Sequence, residues 1–316
     1  NVCCRGQRSS GQGMQLCIIL ESHIIYISDM KKFLMSLMLL SVALGAMAQL
    51  LWKIQAPGAR PSYLLGTCHF VEVEYADSIP GFDDAFAACD TLYTEIGMPD
   101  AAAVQSSMME LAQRLMAEPP LGDKLTAATA DALCDYILQR NGGDSATIAA
   151  DIRQLNLIGL FLKYPSANVM ADLQTGFQVE MPMDLGLVNY ARYLDMEELA
   201  LEGLDYQLSL LGEFVSNNVE EAFKGMMEGN QQDDARRLIA DYKSAELNRL
   251  YSQFEQYRGL KNIEELIEGR NRAWVDRLVP SLRSGALFIA VGAGHLPGDQ
   301  GLISRLRLAG FAVEPV

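Results

Sequence analysis

Histidine is scarce in this sequence, with three in 316 residues. Cysteine is scarce as well: six residues with no C-x-x-C pair among them. Cys68, Cys89 and Cys134 are an odd, widely spaced trio, which is not a disulfide framework. Several catalytic signatures are absent too. There is no H-E-x-x-H, no G-x-S-x-G and no Walker A loop. Gly292–Gly298 is glycine-rich, but its spacing is wrong for a dinucleotide loop, and too little chain follows it to complete a βαβ unit. No internal repeat or low-complexity tract is present. Positive charge is in deficit: 25 Lys and Arg against 40 Asp and Glu give a net charge of −15. A field of that sign repels nucleic acid and anionic lipid heads, and it favours small cations and metal ions. Half of the residues are apolar, so a packed core must hold the fold.

The N-terminal region reads as a leader. Met30-Lys31-Lys32 is a basic start, residues 33–44 are an apolar run, and Ala46-Met47-Ala48 is an A-x-A cleavage site. The run is short of the roughly 20 apolar residues a membrane span needs. Residues 1–29, which begin at Asn1 and show no period, are expected to be a non-native upstream segment. The expected mature chain is therefore 49–316, exported to the periplasm or outside the cell, with no stable membrane span. Removing residues 1–48 takes away four basic and two acidic residues, which moves the net charge from −15 to −17.

Downstream, residues 50–55 and 62–66 flank Pro57-Gly58 and read as two adjacent strands. A short helix is expected over 80–89 and a strand over 91–96. From 101 onward the apolar residues recur at three and four, as in helices. A helix is expected over 185–193 and a strand over 199–204. Two further apolar stripes follow, one through Leu247, Leu250, Tyr251 and Phe254, the other through Ile263, Leu266, Ile267, Trp274 and Leu278. The chain closes with a strand over 286–291, a helix near 302–308 and a strand over 311–316. Strands cluster at both ends. The expected fold is therefore α/β (α+β): one central mixed sheet built from both chain ends, with a large helical insertion at roughly 101–282.

The two histidines of the mature chain occupy matching motifs. Gly66-Thr67-Cys68-His69 follows one predicted strand and Gly292-Ala293-Gly294-His295 follows another. In open α/β sheets the carboxyl ends of the strands are where ligands bind. The motif glycines, Gly66 and Gly292, allow a sharp turn and close approach to a ligand. Glu95 stands near the end of a third strand. If the three strands are neighbours, His69, Glu95 and His295 meet at one sheet edge. Two histidines and a carboxylate suit a first-row divalent ion such as Mn, Co or Zn, which would activate bound water. Without a metal, the same trio offers general acid–base chemistry. Arg270 and Asn271 fall in the apolar stripe of their helix. A buried arginine is costly unless paired, so Arg270 is expected to meet a carboxylate or an anionic intermediate. Gln207, among Leu204, Leu208 and Leu211, reads as structural. Cys68 is treated as a neighbour of His69, and the pairs Met108-Met109 and Met226-Met227 as core or surface filler.

This pattern resembles the TraB/GumN family, which is similar to the Tiki metalloproteases and more distantly to erythromycin-esterase-like proteins. The carrying residues are Leu51-Trp52-Lys53-Ile54, the run from Tyr63 to His69, residues 91–95, Arg270-Asn271, and residues 288–297 with the closing Val313-Glu314-Pro315-Val316. The resemblance spans essentially all of 49–316. It implies a shared α/β core and a site formed by the two motifs. His69 and His295 would then be catalytic or metal-binding, Glu95 their acidic partner, and Arg270 and Asn271 supporting polar groups. In the Tiki relatives the implied chemistry is metal-dependent peptide cleavage. Three departures stand out: Leu204-Asp205 where a Leu-Glu pair is expected, Gly269 where relatives often carry an acid, and Cys68 where Ile or Val is more usual. The expected function is a secreted metal-dependent hydrolase, a peptidase first, acting on a peptide or small molecule. The alternative is a protein that captures a peptide or envelope component without turnover.

Overall fold

The computed structural model of the chain describes residues 49–168, 179–229, 231–255 and 257–316, and the structural statements below concern these. Residues 1–29, expected to be an upstream segment, and 30–48, expected to be a leader, lie outside the described residues. Six strands form one sheet: β1 Leu51–Gln55, β2 Ser62–Thr67, β3 Thr91–Thr94, β4 Glu197–Ala200, β5 Leu287–Gly292 and β6 Ala312–Pro315. Their order is β4-β3-β5-β2-β1-β6. β1 pairs antiparallel with β2 and with β6, while β2, β5, β3 and β4 run parallel. The sheet is mixed and draws on both chain ends, as expected, and the late strand β5 lies between two early ones.

β5 sits in the middle because of its composition. Leu287–Val291 is a continuous apolar run, and every residue in it is buried, as a strand covered on both faces requires. Leu287, Phe288, Ile289 and Val291 each contribute roughly 1.5–3 kcal/mol by burial. Phe288 packs edge-on against Phe82 and Phe86 of the short helix Phe82–Ala87. That helix is shorter than expected because Gly81, at φ +76°, turns the chain immediately before it.

Between β3 and β5 the described residues are helical apart from β4 and the connecting turns. Caps written into the sequence start several of these helices. Asp100, Thr126, Asp144 and Asn156 each accept a hydrogen bond from the backbone N–H three residues on. This region has its own core, in which Leu133, Ile137, Leu160 and Phe223 are fully buried, separate from the core under the sheet. Among the described residues no helix is long and apolar enough to cross a membrane. Cys68, Cys89 and Cys134 are buried free thiols.

Two strands differ from the expected bounds by more than one residue. β3 ends at Thr94, because the Thr94 hydroxyl accepts the Gly97 N–H and folds the chain into a turn, so Glu95 lies just beyond the strand. β4 covers 197–200 rather than 199–204. Leu204 already begins the helix Leu204–Asn217, while Leu201 and Glu202 still donate backbone hydrogen bonds to Thr94 and Glu95.

Candidate active site

β2, β5 and β3 are adjacent and parallel, so their carboxyl ends share one edge. Thr67 lies opposite Gly292, and Thr94 opposite Ala290. The two Gly-x-x-His motifs and Glu95 are therefore neighbours, as the sequence predicts. A cavity of about 240 Å³ opens there, lined by Thr67, His69, Thr94, Glu95, Asp184, Gln207 and Gly292 among others.

The motif glycines serve space rather than a turn or a ligand. A Cβ on Gly66 would lie 3.1 Å from the Ala293 backbone and 3.1 Å from Leu296, so its absence lets the two motifs pack together. Gly292 has an ordinary φ of −50°. A Cβ there would lie 3.3 Å from Glu95 Oε1, the oxygen that accepts the Gly292 N–H at 2.8 Å.

His69 faces the cavity. Its side chain is 61% exposed, and Nδ1 lies 3.0 and 3.1 Å from the two oxygens of Asp184. The hydrogen bond that His69 donates to the Asp184 carboxylate raises the His69 pKa and outweighs the opposing effect of burial. Asp184 stands in the first turn of the helix Met183–Tyr193, whose entry is tied to the β2 motif loop. The Glu72 carboxylate accepts the N–H groups of Glu180 and Met181, and Val71 and Met183 share a backbone hydrogen bond of 2.9 Å. The sequence reading passed over Asp184, since it lies far from the histidines along the chain and in no recognised motif.

Behind Glu95 stands a buried ionic network. Arg270 NH2 donates to Glu95 Oε2 at 2.5 Å and to Glu202 Oε1 at 2.6 Å, while Nε reaches both Glu202 oxygens at 3.0 and 3.1 Å. The Arg270 and Glu202 side chains are each only 6% exposed. Trp274 Nε1 donates to Glu202 at 3.0 Å, and the Arg270 guanidinium lies over the Trp274 ring. Gln207 bridges the two carboxylates, donating to Glu95 at 2.9 Å and to Glu202 at 3.2 Å. Arg270 thus meets carboxylates, as its place on an apolar face demands, and Gln207 belongs to the site. Burial pushes the Glu95 carboxyl up. The positive field of Arg270, that of His295 as it charges in acid, and the Gly292 amide more than offset this, so Glu95 is held below the usual carboxylate range.

Glu202 was also passed over. The chain carries a Leu-Glu pair at Leu201-Glu202, three residues before the Leu204-Asp205 taken as its replacement, and that glutamate is the one on Arg270. Gly269, where relatives often carry an acid, has no structural explanation. It ends a π-helical turn, Glu265–Gly269, and a Cβ there would meet only the end of the half-exposed Glu265 side chain, which can swing aside.

His295 is buried and does not line the cavity. Its Nδ1 lies 2.8 Å from Asn271 Oδ1, and its Nε2 lies 3.2 Å from Arg270 NH1. Asn271 uses its amide to donate to the carbonyls of His295 and Gln300, at 3.2 and 3.0 Å. This network assigns the proton to Nδ1 and leaves Nε2 as the acceptor from arginine. Burial pushes the His295 pKa down to about 4, so the ring is neutral at neutral pH. His69, Glu95 and His295 therefore do not form the three-ligand arrangement expected of them. In this structure both nitrogens of His295 are engaged, and the Glu95 carboxylate already accepts from Arg270, Gln207 and the Gly292 amide. Among the described residues no group of three His, Cys, Asp or Glu side chains is placed to hold a metal.

The model of the TraB/PrgY/gumN family matches residues 50–315. No curated protein and no solved structure gives a match.

Proposed function

The chain belongs to the TraB/PrgY/gumN family, and from that premise we propose that it is a hydrolase of amide bonds, a peptidase first, with His69 as its general base. The observation that carries this reading is the His69–Asp184 pair at the mouth of the cavity. Asp184 holds Nδ1, which leaves Nε2 as the nitrogen free to act. A base oriented by a carboxylate, beside a cavity of substrate size, is the arrangement proton transfer to and from a reacting group needs.

In this mechanism His69 Nε2 takes a proton from water as the water oxygen attacks the carbonyl carbon. Asp184 stabilises the imidazolium that forms. The same Nε2 then returns the proton to the leaving nitrogen as the C–N bond breaks. Glu95 stays ionised, fixed by Arg270, Gln207 and the Gly292 amide, and supplies a static negative field rather than a proton. His295 and Asn271 hold Arg270 and the second motif in place. A divalent ion, the expectation from composition and resemblance, is assigned no step.

The test uses the purified mature chain with a peptide library, with and without EDTA. His69→Ala should abolish cleavage. Asp184→Asn should lower kcat by about 10²–10⁴-fold, the range of general acid–base assistance. It should also move the acid limb of the pH profile downward, because His69 loses the partner that raises its pKa. Cleavage that survives His69→Ala would sink the reading. Complete loss of activity in EDTA, restored by Mn²⁺, Co²⁺ or Zn²⁺, would replace it with the metal-dependent one. Tight peptide binding with no turnover under any metal would favour the capture protein. Export is part of the proposal and rests on the Met30–Ala48 pattern. A natural N-terminus at Gln49, read by mass spectrometry, supports it, and one upstream of Met30 counts against it.

A further inference from the structure

Thr67 is 5% exposed and lines the cavity, yet its hydroxyl has no hydrogen-bond partner among the described residues. It differs in this from its counterpart Thr94, whose hydroxyl accepts the Gly97 N–H. A buried polar group without a partner is rare in a folded protein and calls for a ligand, an ion or water to complete it. The charge around Thr67 says which kind of ligand. The cavity wall carries the carboxylates of Glu95 and Asp184, and no Lys or Arg is among its lining residues. Glu202 lies directly behind Glu95, and Arg270 is the one permanent cation of the cluster. With His69 neutral, as a base must be, the carboxylates of Glu95, Glu202 and Asp184 outnumber the one guanidinium, which pairs with the first two, and leave two negative charges uncompensated.

We infer that this cavity binds a primary ammonium group of the substrate, with the Thr67 hydroxyl accepting one of its N–H bonds and the carboxylates of Glu95 and Asp184 supplying the complementary charge. An ammonium carries three donors, which matches an acceptor-rich wall. A substrate carboxylate at the same place would be repelled. The inference names the substrate class of the site proposed above and rests on that site. The ammonium comes from a peptide N-terminus or from a lysine side chain, two sources of one chemistry.

The experiment measures binding and cleavage separately. Tetraalanine, N-acetyl-tetraalanine, N-acetyl-Ala-Lys-Ala-Ala and N-acetyl-Ala-Glu-Ala-Ala are titrated calorimetrically into the mature chain, and the products are read by mass spectrometry. At least one ammonium-bearing peptide should bind about tenfold more tightly than the acetylated neutral peptide, with the acidic peptide weakest. Tetraalanine leading identifies the N-terminus as the source, and the lysine peptide leading identifies the side chain. Thr67→Val, nearly isosteric, should erase most of that preference while leaving thermal stability unchanged or slightly higher, since it removes an orphaned hydroxyl. Thr67→Ser should keep the preference. Equal binding of all four peptides, no binding of any, or a preference unchanged in Thr67→Val overturns the inference. Cleavage that depends on His69 but ignores the ammonium leaves the hydrolase reading standing and removes this one. An ammonium preference without cleavage does the reverse.

Discussion

At the scale of single residues, Arg270 determines how the site is built. It lies in the same helical stripe as Trp274 and Leu278, both fully buried, so its charge is desolvated and must be matched. Glu202 and Glu95 match it, and each carboxylate is held by a second donor, Trp274 or Gln207 for Glu202 and Gly292 or Gln207 for Glu95. Removing one partner of such a pair leaves an unpaired buried charge, which typically costs about 3–5 kcal/mol. Arg270→Met should therefore destabilise the protein by about that amount in denaturant unfolding. The double variant Arg270→Met with Glu202→Gln should recover part of the loss. Additive losses in the double variant would show that the two side chains do not act as a pair. The need for a partner could be read from the sequence, since an arginine on an apolar face demands one. The partner's identity could not, because Glu202 is 68 residues away and lies in the turn beyond a strand that ends at Ala200, a place that only the packing of distant elements sets.

At the scale of elements, the two Gly-x-x-His motifs are alike in spelling and different in use. The first follows β2 and turns His69 outward into the cavity. The second follows β5 and enters a short 3-10 turn, Ala293–His295, that tucks His295 under the helix Arg270–Leu282. They touch where Gly66 meets Ala293 and Leu296. An added methyl group there stands 3.1 Å from the Ala293 backbone and from Leu296, tighter than side chains normally pack, so the loop at 293–296 must give by a few tenths of an ångström to admit it. Gly66→Ala should lower stability by about 1–3 kcal/mol, the usual range for overpacking, as measured by thermal unfolding. A neutral effect would mean that the loop at 293–296 yields freely. Buried Tyr242, which donates to the Gly66 carbonyl at 2.8 Å, is a further brace on this junction.

At the scale of the whole molecule, the two histidines give stability opposite dependences on pH. The folded pKa of His295 is depressed to about 4, against about 6.5 in an unfolded chain. Below pH ~6.5 the unfolded state therefore binds a proton that the native state refuses. Stability should fall between pH ~6.5 and ~4 by roughly 3 kcal/mol, from about 1.4 kcal/mol per pKa unit. Glu95 adds a loss of the same sign at the acid end, since its folded pKa is lowered. The folded pKa of His69 is raised, so its contribution is full below pH ~6.5 and disappears as pH climbs through the raised value. Denaturant unfolding from pH 8 to 4 in wild type and His295→Gln checks this. A wild-type slope below pH 6.5 that persists unchanged in His295→Gln would contradict it.

The sequence by itself determined the sheet and where it carries chemistry. An apolar run such as Leu287–Val291 has few places to go except the middle of a covered sheet, and the glycine-histidine motifs follow the strand ends directly. Helix starts at Asp100, Thr126, Asp144 and Asn156 were also local matters, fixed by a side chain reaching three residues along. The division of labour in the site was not local. Only the tertiary structure pairs His69 with Asp184, places Glu202 and Gln207 on Arg270 and Glu95, and buries His295 with both its nitrogens engaged. These contacts join residues 5 to 175 positions apart. Hydropathy period and motif spacing record which face a residue occupies, and they carry no information about which distant element will pack against that face.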